Sequence, residues 1–167
     1  MIGRRAMWPL LAALTMVPAC TDSAAVGAQK ELELGPHRVQ VSTPAGWELL
    51  DQGARKRFRK GESEIVLENL GADFAQLADW GLAALASLGN DRRREVKSRR
   101  ATIIDNHEAM EIETWNRLDH TWPQFFLFVR VEDDLLALHT PRLADAPTAK
   151  AFESIRDSIH FGPSVRR

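Results

Sequence analysis

Residues Glu95–His139 read EVKSRRATIIDNHEAMEIETWNRLDHTWPQFFLFVRVEDDLLALH, and the punctuation of that stretch decides the fold. Glu95–Ile104 is an extended run that meets Asp105-Asn106-His107, residue types that suit turns. Glu108–Trp115 follows, with Met110, Ile112 and Thr114 on one side. Gln124–Glu132 is apolar on both faces, through Phe125, Phe126, Leu127, Phe128, Val129 and Val131, which predicts a central strand. Asp133-Asp134 then turns the chain into Leu135–His139. Short connections between four such strands predict an antiparallel meander.

Upstream, Glu31–Leu34 and His37–Ser42 flank the turn dipeptide Gly35-Pro36, and the second run alternates around Val39 and Val41. Thr43-Pro44-Ala45-Gly46 breaks the chain before Trp47. Ala54–Lys60 and Glu64–Leu70 flank Gly61 and read as a hairpin. A helix is then predicted with Asp73 as its cap. Phe74, Leu77, Ala78, Gly81, Leu85 and Leu88 form one apolar face, and the helix ends at Gly89-Asn90. Downstream of the meander, a final helix begins after Asp145 with Pro147 in its first turn, and Phe152, Ile155 and Ile159 line its inner face. The order predicts an α+β fold: one antiparallel sheet of about six to seven strands covered by two helices.

The N-terminus carries a different message. Arg4 and Arg5 are followed from Ala6 to Ala19 by a run that is apolar apart from Thr15. That run is shorter than the roughly 20 residues a bilayer-spanning helix needs, and it has the build of a secretory signal. Val17-Pro18-Ala19-Cys20 resembles a lipobox, the site at which bacterial lipoprotein precursors are acylated and cut. Cys20 is the only cysteine, so lipid on it removes an unpaired thiol from an oxidising compartment and leaves no internal disulfide. Two or three acyl chains make such an anchor lasting. Thr21, rather than Asp, follows the cysteine and favours the periplasmic face of the outer membrane over the inner membrane. The adjacent arginines also raise twin-arginine export, but the flanking pattern of that signal is incomplete.

The expected organisation is a leader over 1–19, a flexible tether over 20–30, one domain over 31–161 and a tail over 162–167. The small polar residues between Thr21 and Gln29 suit the tether. Of 22 Lys and Arg, the leader removes Arg4 and Arg5, which leaves 20 against 23 Asp and Glu, a net charge near −3. That balance and export both argue against nucleic acid as a partner.

The segment V-Q-V-S-T-P-A-G-W, Val39–Trp47, resembles the entry to PsbP-like domains, where a strand runs into a P-x-G-W turn. The D-N-H turn, the meander and the closing A-F-E-S-I-R-D-S-I-H-F helix are similar to the same group, over roughly residues 37–161. The resemblance implies a PsbP-like sandwich with Trp47 packed on the sheet. It points most closely to DcrB-like envelope lipoproteins, and since families of this fold mostly bind other proteins, the resemblance implies a binding role. The fold hosts several roles, so no catalytic residue carries over.

Chemistry-bearing residues are sparse. His37, His107, His120, His139 and His160 are scattered without metal-site spacing, and those beside Asp105 and Asp119 fall in turns. No serine sits in G-x-S-x-G or S-x-x-K, and Glu111 with Glu113 reads as a solvated strand face. Two basic clusters stand out: Arg55, Lys56, Arg57, Arg59 and Lys60, then Arg92, Arg93, Arg94, Lys97, Arg99 and Arg100. On neighbouring strands they would form one positive patch for lipid phosphates or an acidic partner; otherwise they are guarded edge strands. Trp115 and Trp122 offer a second surface, unless Trp115 packs on the second helix. The expected function is a lipid-anchored, non-enzymatic binding or accessory module contacting another envelope protein, with no cofactor or metal implied. The alternatives are an envelope hydrolase assembled from scattered His and acidic residues, and a carrier of a small apolar ligand.

Overall fold

The computed structural model describes residues 26–88, 94–121 and 123–164. Cys20 with its lipobox, the first part of the tether, Arg92, Arg93 and Trp122 lie outside the described residues. In chain order the elements are β1 (Val26–Leu34), β2 (His37–Pro44), β3 (Glu48–Gln52), β4 (Arg55–Lys60), β5 (Ser63–Gly71), α1 (Ala72–Ala75), α2 (Trp80–Leu88), β6 (Arg94–Ile104), β7 (His107–Asn116), β8 (Gln124–Val131), β9 (Asp134–His139), α3 (Ala146–Asp157) and β10 (His160–Phe161).

Strands β3 to β9 build one seven-stranded antiparallel sheet in the order β3-β4-β5-β9-β8-β7-β6. The hairpin read at Gly35-Pro36 forms as expected, but it leaves that sheet and pairs with β10 in a separate three-stranded sheet, β1-β2-β10. Period-two alternation explains the layering, because each strand of the large sheet sends alternate side chains to opposite faces. Phe58, Ile65, Leu67, Leu127, Val129, Leu136 and Leu138 face the small sheet and α3, meeting Val39, Val41, Phe152 and Ile155. Met110, Ile112, Phe126, Phe128, Leu135 and Ala137 face α1 and α2, meeting Ala75, Trp80 and Ala84. β8 therefore has apolar partners on both faces, as its sequence requires. Each fully buried large side chain, such as Phe58 or Phe128, contributes about 1.5–3 kcal/mol.

The turns follow local chemistry. Asp105 and Asn106 both adopt positive φ, 47° and 66°, in the two-residue loop that joins Ile104 to its partner His107. The β8–β9 loop is Glu132-Asp133, one residue earlier than Asp133-Asp134, because Asp134 already pairs with Val131. The Trp47 amide donates to the Pro44 carbonyl at 3.0 Å across Gly46, whose φ of 75° suits glycine. Trp47 then packs against the core between the two sheets. After this break the chain forms β3, a strand not read from the sequence, and it pairs with β4 from Glu48↔Arg59 to Gln52↔Arg55.

Two boundaries move. β1 begins at Val26, within the stretch read as tether, and pairs back to Pro44 through an irregularity before Gln29. Gly27 permits the close approach: a Cβ there would lie 1.8 Å from the Thr43 carbonyl oxygen. The helix expected over 73–88 is two helices, α1 and α2. Leu77 is 45% exposed, and Trp80, absent from the predicted apolar face, is buried in its place. Asp79 restarts the chain as α2, its Oδ1 accepting from the Leu82 amide at 3.4 Å and its carboxylate held by Arg99 Nη1 and Nη2 at 3.1 and 2.9 Å. α3 starts where expected, with Asp145 accepting from the Thr148 amide at 2.8 Å. Its last inward residue, Ile159, is buried just beyond the helix end.

Candidate functional site

The strands reach one end of the large sheet where the β4–β5 hairpin, the start of β8 and the loop after β9 converge around a cleft of about 770 Å³. Phe126, Leu88 and Leu143 give it apolar wall, while Glu64, Arg94, Gln124 and Arg142 give it polar groups of both signs. Two of its hydroxyls have described partners. Thr140 Oγ1 accepts from the Phe125 amide at 3.0 Å, and the Thr148 hydroxyl donates to Asp145. The Asp145 carboxyl sits below the ordinary carboxylate range because the Thr148 hydroxyl and amide both donate to it.

His139 lines this cleft, the one histidine among its described lining residues. Beneath it, β5 pairs with β9 in the register Val66↔His139 and Glu68↔Ala137, which puts Glu68 on the same sheet face. His139 Nε2 stands 2.8 Å from Glu68 Oε1, and Arg55 Nε and Nη2 donate to Glu68 Oε2 at 2.9 and 2.7 Å. Burial pushes the Glu68 carboxyl up, but hydrogen bonds from His139 and Arg55, with their charges, outweigh it and hold the group below its ordinary value. An ionised carboxylate accepts only, so His139 Nε2 carries the proton it donates. The imidazole also stacks parallel to Phe126 at 6.0 Å between centroids. The buried His139–Glu68 pair, closed from outside by the exposed Arg55, is a satisfied polar network that ties β4, β5 and β9 together. Glu68 belongs to no motif; its sequence signal is its place inside the apolar run Ile65–Leu70, where a buried carboxylate requires a partner.

Among the described residues, the two basic clusters do not form one patch. β4 and β6 stand five strand spacings apart in the large sheet, about 24 Å. On β4, Lys56 turns inward beside Phe58 and reaches Asp51 at 2.5 Å, while Arg55, Arg57 and Arg59 point to the other face. Arg55 is held by Glu68 and Arg57 lies 3.3 Å from Glu64, so of these three only Arg59 lacks a carboxylate partner among the described residues. On β6, Lys97 pairs with Glu113, Arg99 with Asp79 and Arg100 with Glu111, which Arg156 also contacts.

The structure instead brings Lys97 of β6 to Trp115, because Glu95 pairs with Trp115 in the β6–β7 register. The indole Nε1 donates to Glu95 Oε1 at 2.8 Å, its ring stacks on His120 at 4.4 Å, and Lys97 Nζ lies 5.4 Å from the ring centroid. Trp115 is thus half-buried within a polar cluster on the sheet edge, and its described ring contacts are there rather than on α3. His107 packs edge-on against Phe161, and His37 pairs with Asp134 at 2.9 Å, so these histidines serve separate structural contacts.

No known family profile matches the chain, and no curated protein matches it. Its fold is similar to that of cyanobacterial PsbP (CyanoP) from Synechocystis sp. PCC 6803, known from a solution structure. The TM-score is 0.56 over 84% of this chain and 96% of that one, at 12% sequence identity. At this identity the likeness establishes the fold: the chain has a PsbP-like α+β architecture, with seven-stranded and three-stranded antiparallel sheets and three helices among the described residues.

Proposed function

We propose that the protein is a non-enzymatic binding or accessory module of the bacterial envelope, of the DcrB-like kind, anchored through acylated Cys20 on the periplasmic face of the outer membrane. Its contact with another envelope protein runs along β6. The observation that carries this reading is the outer edge of β6: eleven residues long, it ends the sheet, and among the described residues no strand pairs with that side. An open edge presents a row of backbone donors and acceptors to which an extended partner segment can add. Ile103, 70% exposed, and Val96, 44% exposed, supply apolar contacts toward the two ends of the edge, and the Trp115 cluster adjoins the Val96 end.

The alternatives draw less support. For hydrolysis, His139 has its Nε2 engaged by the buried Glu68, and no described hydroxyl of the cleft is hydrogen-bonded to it. An apolar carrier needs an internal cavity, whereas the void between the two sheets, lined by Val39, Leu67, Leu127 and Ile159, is about 10 Å³.

The test is site-specific photocrosslinking in membranes from Ser98 on β6 and from Arg59 on β4. A single partner captured from Ser98, absent from Arg59 and lost with Val96→Glu/Ile103→Glu, is the expected result. Equal capture from both strands would sink the edge reading. Failure of Cys20 to take up labelled fatty acid in the wild-type chain would remove the anchor.

A further inference from the structure

The path of β1 constrains how an anchored domain meets its membrane. Val26 pairs with Pro44, and the turn that follows lies against the β4–β5 hairpin, with the Cβ position of Gly46 3.5 Å from Lys60 Nζ. That hairpin contributes Glu62 and Ser63 to the cleft, whose far wall holds Arg94 and Gln124 at the β6 start and β8 start. Gln124 pairs with Thr114, so the Asn116–Thr121 turn rises from the same end. Chain entry, cleft mouth and this turn therefore share one end of the molecule.

Only six peptide links separate Cys20 from Val26, a span of about 20 Å at full extension. β6 alone is eleven residues, about 35 Å long. The tether is thus shorter than the domain, and the end it enters stays near the acyl chains.

Charge divides the two ends in the same sense. The far end holds the exposed carboxylates Asp73, Asp105, Glu132 and Asp133, none with a lysine or arginine partner among the described residues. At the tethered end Arg59, Lys60, Arg117 and Arg142 are exposed and are balanced by Glu48, Glu62, Asp119 and Asp145. An anionic lipid surface repels the far end and does not repel the near one. Leu118, 83% exposed, and Leu143, 44% exposed, project from the near end as apolar contacts.

We infer that the domain rests with its tethered end on the lipid headgroups, Leu118 and the cleft mouth facing the membrane and the acidic end pointing away. This rests on the proposed acylation of Cys20. The occupant of the surface is the bilayer itself, and the cleft opens onto the headgroup layer.

The experiment uses the full chain, acylated at Cys20, in vesicles of phosphatidylethanolamine and phosphatidylglycerol. Acylation consumes the one native thiol, so Leu118→Cys and Asp133→Cys each give a single labelling site at an exposed turn. A fluorophore at Leu118→Cys is expected to be quenched several-fold more by headgroup-attached nitroxide than one at Asp133→Cys, and unchanged tryptophan emission checks the fold. Equal quenching, or stronger quenching at Asp133→Cys, in protein that floats with vesicles overturns the orientation and leaves the anchor standing. Protein that does not float refutes the anchor, and the orientation with it.

Discussion

His139 Nε2 lies 2.8 Å from Glu68 Oε1 with both side chains buried, 7% and 9% exposed, and Arg55 closes the carboxylate from its other oxygen. The pair joins residues 71 positions apart and ties the middle of the sheet to its β4 side. Truncating one member leaves the other buried without its partner, a cost of about 1–3 kcal/mol. Glu68→Ala is expected to lose at least that much in urea titration at neutral pH. A neutral outcome would mean that the network is not part of the stability.

The same carboxyl predicts an acid limb. Its folded pKa is depressed below the ordinary value of 4.5, so the folded chain binds its proton less readily than the unfolded one. The resulting stability is fully present above about pH 4.5 and is lost as pH falls through the folded value. Glu68→Gln should flatten this part of the stability–pH curve while leaving its neutral region flat. An unchanged acid slope in that variant would place the titration on other carboxyls, with Asp51 and Asp105 next to examine because theirs are also lowered.

Gly81 sits where α2 presses on β7: a Cβ there would lie 2.3 Å from Met110 Sδ. Gly81→Val is expected to destabilise by about 1–3 kcal/mol through overpacking. Met110→Ala on that background should recover part of the loss, although it is itself destabilising alone. Strict additivity in the double-mutant cycle would show that the two positions do not share this space.

At α3, the Asp145 side chain accepts both the amide and the hydroxyl of Thr148. Asp145→Ala should lower the melting midpoint by a few degrees, and Asp145→Asn or Asp145→Ser should restore most of it because each keeps a capping oxygen. Circular dichroism melts decide this; an equal drop in all three variants would indicate loss of charge rather than of the cap.

Charges on β6 also guard an open edge. Lys97→Val/Arg100→Val leaves both acidic partners, Glu113 and Glu111, on the neighbouring strand while turning the edge apolar beside Val96 and Ile103. Concentration-dependent self-association in sedimentation velocity is the expected result, with the wild type unchanged over the same range.

What was legible in the sequence was local. Alternation placed β6 to β9, Asp105-Asn106 marked its turn, and Asp145 with Pro147 marked the start of α3, because each depends on backbone preferences of residues close in the chain. The P-A-G-W turn and the packing of Trp47 were legible for the same reason. Alternation also gave the two faces of each strand, but backbone hydrogen bonds are alike for every strand pair, so it named no partners. Only the summed packing of both cores set β5 beside β9, which made His139 and Glu68 neighbours and turned one of five scattered histidines into a buried pair. The same order put β4 and β6 on distant strands, dividing a supposed basic patch, and sent β1 and β2 to a second sheet. The long helix read over 73–88 broke for a tertiary reason too. Arg99, twenty residues on, holds Asp79 as the start of α2 and turns Trp80 inward where Leu77 was expected. Sequence determined the elements and their faces; tertiary structure decided which of those faces meet.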